Sequence, residues 1–481
     1  MSITQGIAIL PLIILAAFAM GILLINVFSK NPKDEKIGYI ALTSMIFVFL
    51  SLFVYVGKGS LSFGSMISVD IYSIFFDLVF VVIGTLTILA SISYVKTTGI
   101  HSGEYYALIL FAMIGMMLMA ASTSLVMLFV SLEMMSIPIY ILAGFHRNDE
   151  RSIEASMKYF LLGAFASGFF LYGLSLVYAA TGSTSYQAIA QFLAKTERLD
   201  MSTLLWIGLA FLTIGFFFKI AAFPFHAWTP DVYEGAPTSV TAYMATGVKA
   251  AAFAALVRII FTAFPLYQHD WTSIMWLVAV LTMIVGNFTA LVQKSVKRML
   301  AYSSIAHAGY LLVALVAGNE IGRSAILFYL MAYAFMNIGA FSVLMVMAKK
   351  NDYHEDLDSF AGIGFKYPLT AVAMSVFMFS MAGIPPTAGF IGKFYIFSAA
   401  VKSHYYWLAI IGVLNSAVSV YYYLRVIVYM YFKEPEGEIP AYHFSVPAVL
   451  SIVLAVWGVL QLGILPENIL TIAQHSIRAL M

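Results

Sequence analysis

Four charged side chains, Glu133, Lys219, Lys249 and Lys393, stand alone inside segments that are otherwise apolar and long enough to cross a bilayer. A charge at the centre of such a segment costs about 2.5 to 3.5 kcal/mol on insertion scales, so these groups face protein or water and mark an ion path. Their chemistry is proton or cation conduction. Glu133 lies five residues before Pro138, which frees the carbonyl of Met134, and Lys219 lies five residues before Pro224. In both places backbone polarity and a charge share one depth. An acid and a base so placed invite a buried pair. At roughly 5 Å and an effective dielectric near 20, their attraction is about 3 kcal/mol. Moving one charge against 100 mV costs about 2.3 kcal/mol, so opening and closing that pair is of the right size to gate a pumped proton. The competing reading is a static salt bridge that fixes helix register.

Lys249 is central in VTAYMATGVKAAAFAALVRII, with no acid in its segment. A lysine buried without a counter-charge is the chemistry of a reversible proton carrier. Lys393 follows the Pro385/Pro386 pair in AGIPPTAGFIGKFYIF and is placed to load or release protons at the far end. His307, in AYSSIAHAGYL, titrates in the physiological range when unperturbed and suits a link between two lysines, with Tyr302, Ser303 and Ser304 beside it as water-holding groups. Lys158 stands four residues after Glu154, the spacing of a helical ion pair, and reads as a surface pair or a proton uptake point. Asp231 and Glu234 follow the first proline break as helix-end or loop residues, and the sequence assigns Arg425 no role. Ala164 and Gly168 form a small-residue pair of the kind that packs helices.

The elements that hold these groups follow from composition. Of the 481 residues 62% are hydrophobic and 10% charged, with mean hydropathy +0.93, which sets the chain apart from soluble domains. At roughly 20 apolar residues per crossing, spans fall at about 7–28, 38–57, 71–93, 105–121, 124–144, 153–179, 203–228, 237–262, 272–292, 298–316, 322–348, 368–402, 408–432 and 445–464. The fold class is thus an all-α polytopic membrane protein of about fourteen transmembrane helices in one domain. The run 7–28 lacks a preceding basic residue and a small-residue cleavage site, so it is expected to be a retained span rather than a signal peptide. Two spans are expected to break: 203–228 at Pro224, and 368–402 at Gly383, Pro385, Pro386 and Gly389. Paired interrupted helices point to an inverted repeat with an ion path at the midplane.

With no cysteine, thiolate-held iron–sulfur clusters and disulfides are excluded, and a net charge of +2 gives no argument for nucleic acid. There is no P-loop, no dinucleotide-binding glycine motif and no zinc spacing. With the N-terminus outside, cytoplasmic loops carry Lys30, Lys33, Lys36, Lys96, Arg147, Arg151, Lys294, Lys297, Arg298, Lys349, Lys350, Lys366 and Lys433. The other side then carries only Lys58, Lys195, Arg198, Arg323, Lys402 and Arg478, so both termini are expected to be periplasmic.

The stretches SLEMMSIPIYILAGF, EASMKYFLLGAFASGFFLYG, FFFKIAAFPFHAWTPDVYEGAPTSVTAY, KRMLAYSSIAHAGY and AGIPPTAGFIGKFYIF resemble the antiporter-like membrane subunits of bacterial NADH-quinone oxidoreductase (respiratory complex I), and among them the subunit N family. The resemblance runs from about the third span to the thirteenth. It implies fourteen helices with two inverted five-helix repeats, at 105–262 and 272–432, flanked by N-terminal helices at 1–104 and a C-terminal helix at 445–481, with the seventh and twelfth helices interrupted. It further implies Glu133 and Lys219 as the coupled pair, Lys249 as central carrier, His307 as a linker, Lys393 as the terminal site and Lys158 as a further ionisable position. FMN, iron–sulfur clusters and quinone are then expected in partner subunits, and the location is the bacterial inner membrane beside other antiporter-like and small membrane subunits. Two alternatives stay open at this point: a subunit of a multisubunit sodium/proton antiporter, and a scaffold subunit that does not pump.

Overall fold

A computed structural model of the chain describes residues 3–28, 35–55, 61–63, 66–100, 102–195, 203–265, 268–348, 355–435 and 437–480. Lys30, Lys33, Lys58, Arg198, Lys349 and Lys350 lie outside the described residues. The elements used below are α1 (Leu10–Phe28), α2 (Glu35–Leu52), β1 (Leu61–Phe63), β2 (Ile67–Val69), α3 (Ile71–Thr98), α4 (Ser102–Ala121), α5 (Leu125–Ala143), α6 (Glu150–Thr181), α7 (Tyr186–Lys195), α8 (Thr203–Ile220) and α9 (Trp228–Gly235). They continue with α10 (Thr238–Thr262), α11 (Gln268–Leu291), α12 (Val296–Ala317), α13 (Glu320–Met347), α14 (Pro368–Ala382), α15 (Ala388–Lys402), α16 (Tyr406–Phe432), α17 (Val446–Ile464) and α18 (Glu467–Arg478).

Thirteen helices among the described residues are long and apolar enough to cross a membrane, and α14 with α15 supplies a fourteenth, broken crossing. The protein is a multi-pass, all-helical membrane protein. Helix ends are set by local chemistry: Asp70 and Ser73 form a reciprocal capping box at the start of α3, Asn319 caps α13 through the Gly322 N–H, and Gly182 and Gly318 end α6 and α12 in the left-handed region. Pro138 stays inside α5, which runs unbroken to Ala143.

Both expected breaks are present. α8 stops at Ile220 and α9 begins at Trp228, with Ala221 at φ 59°. α14 stops at Ala382 and α15 begins at Ala388, with Gly383 at φ 87°. Phe223–Pro224 and Pro385–Pro386 are cis peptides. A left-handed residue turns the chain out of each helix, leaving the last carbonyls of α8 and α14 without intrahelical partners.

The core lies around α10, α12 and α13, which are apolar on all sides and almost wholly buried, as expected of helices that touch only other helices. α1, α6 and α16 present broad apolar faces outward. One packing expectation is corrected. Ala164 and Gly168 both face outward on α6, with open space around Gly168. Close packing instead uses Gly163 against the Tyr140 ring, and Gly173 against the backbone of Gly208 and Leu212, because a different stripe of α6 faces α5 and α8. The short β1–β2 hairpin and the amphipathic helices α7 and α18 have no counterpart in the sequence reading, since none has the length or apolarity of a span.

Candidate functional site

Each ionisable group is held by oxygen atoms from a neighbouring helix, and α12 joins three of them in a row, holding Lys249 through Ser304, carrying His307 and turning Tyr310 to Lys393. Glu133 on α5 is half-buried and accepts a short hydrogen bond from the Ser167 hydroxyl on α6. Its neighbours one turn away, Val130 and Ile137, are 49% and 53% exposed, so this carboxylate lies toward an outer face of the chain.

Lys219 ends α8 just before the first break and is buried. Its ammonium donates to Ser136 Oγ at 2.8 Å and to the Tyr140 hydroxyl at 3.1 Å. The rings of Tyr140, Tyr159 and Phe218 surround it at 5.1, 5.6 and 5.7 Å, within range for cation–π attraction. Glu133 and Lys219 therefore sit on the same interface but form no ion pair here. Ser136 lies three residues beyond Glu133, about 4.5 Å along α5, and holds the position between them.

Lys249 is also buried, and its nitrogen donates to both the carbonyl and the hydroxyl of Ser304 at 2.5 Å. It immediately follows a π-helical turn, Met244–Val248, in α10. Such a turn widens the helix and is frequent at functional positions.

α12 carries the link onward because Ser303, His307 and Tyr310 recur at helical spacing on one face. His307 Nδ1 lies 2.5 Å from the Tyr329 hydroxyl, and Nε2 lies 3.0 Å from the Tyr423 hydroxyl. Tyr423 in turn shares a short hydrogen bond with Ser303. Tyr310 turns its ring face to Lys393 at 4.9 Å and accepts from Asn287 at 3.1 Å. Asn287 also accepts from Tyr422 at 2.9 Å, tying α11 and α16 into the same network.

Lys393 on α15 is buried and donates to the carbonyls of Met381 and Ala382 at 2.8 and 3.1 Å and to Ser416 Oγ at 2.9 Å. Those carbonyls end α14 at the second break, so the negative end of that helix faces the ammonium. None of Lys219, Lys249 and Lys393 forms an ion pair with a carboxylate among the described residues. Hydroxyl and carbonyl dipoles carry the charge instead.

A second cluster lies at the surface. Lys158 pairs with Glu154 at 2.7 Å, as its spacing predicts, and also with Asp231 at 2.9 Å. Arg298 pairs with the other oxygen of Asp231 at 3.0 Å and with Glu234. These groups line a cavity of about 290 Å³. Burial opposes ionisation of Asp231, yet Lys158 and Arg298 together hold its carboxyl below the ordinary carboxylate value. Tyr159, next to Lys158, stacks on Trp228 at 4.5 Å and packs against Lys219, so the cluster adjoins that lysine.

Of the six residues singled out in the sequence, Lys219, Lys249, His307 and Lys393 are buried, Glu133 is half-buried, and Lys158 joins the surface cluster. The sequence missed Ser136, Tyr140, Ser167, Tyr329, Tyr423 and Asn287, whose types are too common in spans to stand out. It also missed the buried pair of Arg258 with Asp70, at 2.7 and 2.8 Å, which clamps α10 to the start of α3. Arg425 donates to the carbonyls of Leu291, at 3.0 Å, and Gln293, and so caps the end of α11.

A helical membrane fold with two broken helices and a buried row of lysines defines a class of ion-translocating membrane subunits. Within that class, the chain belongs to the NADH:quinone oxidoreductase/Mrp antiporter transmembrane family, whose profile matches residues 122–419. It is 51% identical to NADH-quinone oxidoreductase subunit N of Trichlorobacter lovleyi, over 98% of this chain and 96% of that one. It is 43% identical to the corresponding subunit N of Chloroflexus aggregans, over 97% and 96%. Among solved structures it resembles a chain of respiratory complex I from Thermus thermophilus with bound aureothin, at 37% identity and TM-score 0.82 over 96% of this chain and 98% of that one. A chain of the Mrp complex from Dietzia shares the fold alone, at 18% identity and TM-score 0.85 over 99% and 97%.

Proposed function

We propose that this chain is the proton-translocating subunit N of a bacterial NADH-quinone oxidoreductase, passing protons along Glu133, Lys219, Lys249, His307 and Lys393 as quinone is reduced in other subunits. The observation that carries the reading is the row itself. Each lysine is buried against neutral oxygens, so its charge state responds to the state of the next group in line. Glu133 and Lys219 act as a switch: Lys219 rests on Ser136 and Tyr140, and a swing toward Glu133 closes the ion pair. His307, with Tyr423 and Tyr329, bridges the Lys249 and Lys393 ends. Lys158 takes up protons from the cytoplasmic side through the Asp231 cluster.

The two broken helices, each left through a positive-φ residue, support a division into repeats at 105–262 and 272–432, with 1–104 and 445–481 as flanking helices. The outward apolar faces and the half-buried Glu133 support a neighbouring membrane subunit at the α5–α6 surface, because a mid-membrane carboxylate facing lipid is costly. FMN, iron–sulfur clusters and quinone belong to partner subunits in this reading. The distribution of basic residues supports periplasmic termini and an inner-membrane location in this reading.

The test is the assembled enzyme, reconstituted with Lys219→Ala or Glu133→Ala, with protons pumped per electron pair as the readout. Loss of pumping at normal assembly is expected, and unchanged pumping removes the gate. A sodium-antiporter role predicts instead that sodium competes with protons during transport. A scaffold role predicts that leucine at Lys249 leaves coupled turnover intact.

A further inference from the structure

Away from the row, a groove of about 530 Å³ opens between α14 and α17. Leu369 and Val372 form one wall, and Val449, Ile452, Val453 and Val456 the other. From Val449 to Val456 the groove follows α17 for about 10 Å, two-thirds of the roughly 15 Å apolar depth of one leaflet. Its walls are apolar along that length, as the hydrocarbon chain of a lipid requires.

The mouth of the groove is built, not bare. Tyr367 donates to the Pro440 carbonyl at 3.0 Å and accepts from the Tyr442 N–H at 3.1 Å, while the rings of Tyr442 and Phe444 pack on it at 5.2 and 5.5 Å. Beside it Lys366 is exposed, with one N–H on the Ile439 carbonyl at 2.5 Å and two donors left to point outward. No carboxylate among the described residues forms an ion pair with it. A tyrosine and a lysine over an apolar slot are the side chains that meet a lipid at headgroup depth.

We propose that this groove is a binding site for an anionic phospholipid, with its acyl chain between α14 and α17 and its phosphate on Lys366. The site is separate from the proton row, although α14 is half of the broken helix whose end faces Lys393.

The experiment places photoreactive benzoylphenylalanine at Val453, or at Val372 if the first variant assembles poorly, in the complete enzyme. The enzyme is then illuminated in vesicles of phosphatidylglycerol or of phosphatidylcholine. Phosphatidylglycerol is expected to be the preferred label, and Lys366→Ala should lower that labelling about fivefold, the worth of one basic residue at an anionic surface. Lys366→Arg should restore it, and Ala373→Phe, which fills the groove, should abolish labelling by either lipid. Equal labelling by both lipids, indifference to Lys366→Ala, or capture of a protein subunit at Val453 overturns the proposal.

Discussion

Lys219 donates to Ser136 Oγ at 2.8 Å, and Ser136 stands one helical turn beyond Glu133 on α5. The hydroxyl therefore occupies the resting position of an ammonium whose other destination is the carboxylate. A hydrogen bond to a charged donor is worth about 1.5 to 3 kcal/mol, a factor of about 10 to 100. Ser136→Ala removes one of the two groups that hold this resting position, Tyr140 being the other, and biases Lys219 toward Glu133. Coupled turnover of the reconstituted enzyme should fall at least tenfold at normal assembly, and Ser136→Thr, which keeps the hydroxyl, should retain most of it.

His307 receives its two contacts from Tyr329 and Tyr423, and Tyr423 reaches back to Ser303. Tyr423→Phe keeps the ring and deletes the link. Proton pumping should drop severalfold with little change in thermal stability of the complex, whereas Tyr329→Phe with the same assay tests the opposite side of the imidazole. Unchanged pumping in both variants would show that the histidine serves packing alone.

Gly383 sits at φ 87° with a would-be Cβ 3.1 Å from Lys393 Cδ. Alanine there adds about 1 to 2 kcal/mol of backbone strain and presses on the lysine stem. Gly383→Ala is expected to slow pumping more than it lowers the amount of assembled enzyme. Equal losses in both would point to a folding defect.

Arg258 and Asp70 form a bidentate pair in the buried end of α10. Arg258→Leu leaves an uncompensated carboxylate, an error of about 3 to 5 kcal/mol, so little complex should assemble. Replacing Asp70 by Asn in the same chain, which removes the charge and keeps the α3 cap, should recover assembly, as judged by native gel and melting temperature.

Asp231 is held below the ordinary carboxylate value, so its contacts with Lys158 and Arg298 are complete above about pH 4 and are lost only as the pH falls through that lowered value. Rate profiles of wild type and Asp231→Asn between about pH 5 and 8 should then have the same shape, the variant lying lower throughout. An inflection near pH 6 that the asparagine removes would contradict this assignment.

Much of this architecture was legible because charge in an apolar span is rare. Glu133, Lys219, Lys249 and Lys393 announce themselves, and Pro224 and Pro385 mark the breaks. What escaped were partners of ordinary type. Nothing in the sequence separates Ser136 from span serines such as Ser44 and Ser375, whose hydroxyls bond their own helix backbone. Tyr329 and Tyr423 meet His307 only through the packing of α12, α13 and α16. The Arg258–Asp70 pair joins residues 188 positions apart, and the orientation of α6 that idles Gly168 but uses Gly163 depends on where α5 and α8 lie.

The account rests on Lys249 exchanging its proton while held by Ser304 rather than by a carboxylate. The direct measurement is NADH-driven proton transport by the assembled, reconstituted enzyme carrying Lys249→Leu. Coupled turnover at least tenfold below wild type, or fewer protons per electron pair at equal assembly, is the predicted result. Wild-type turnover with the full proton yield would contradict it.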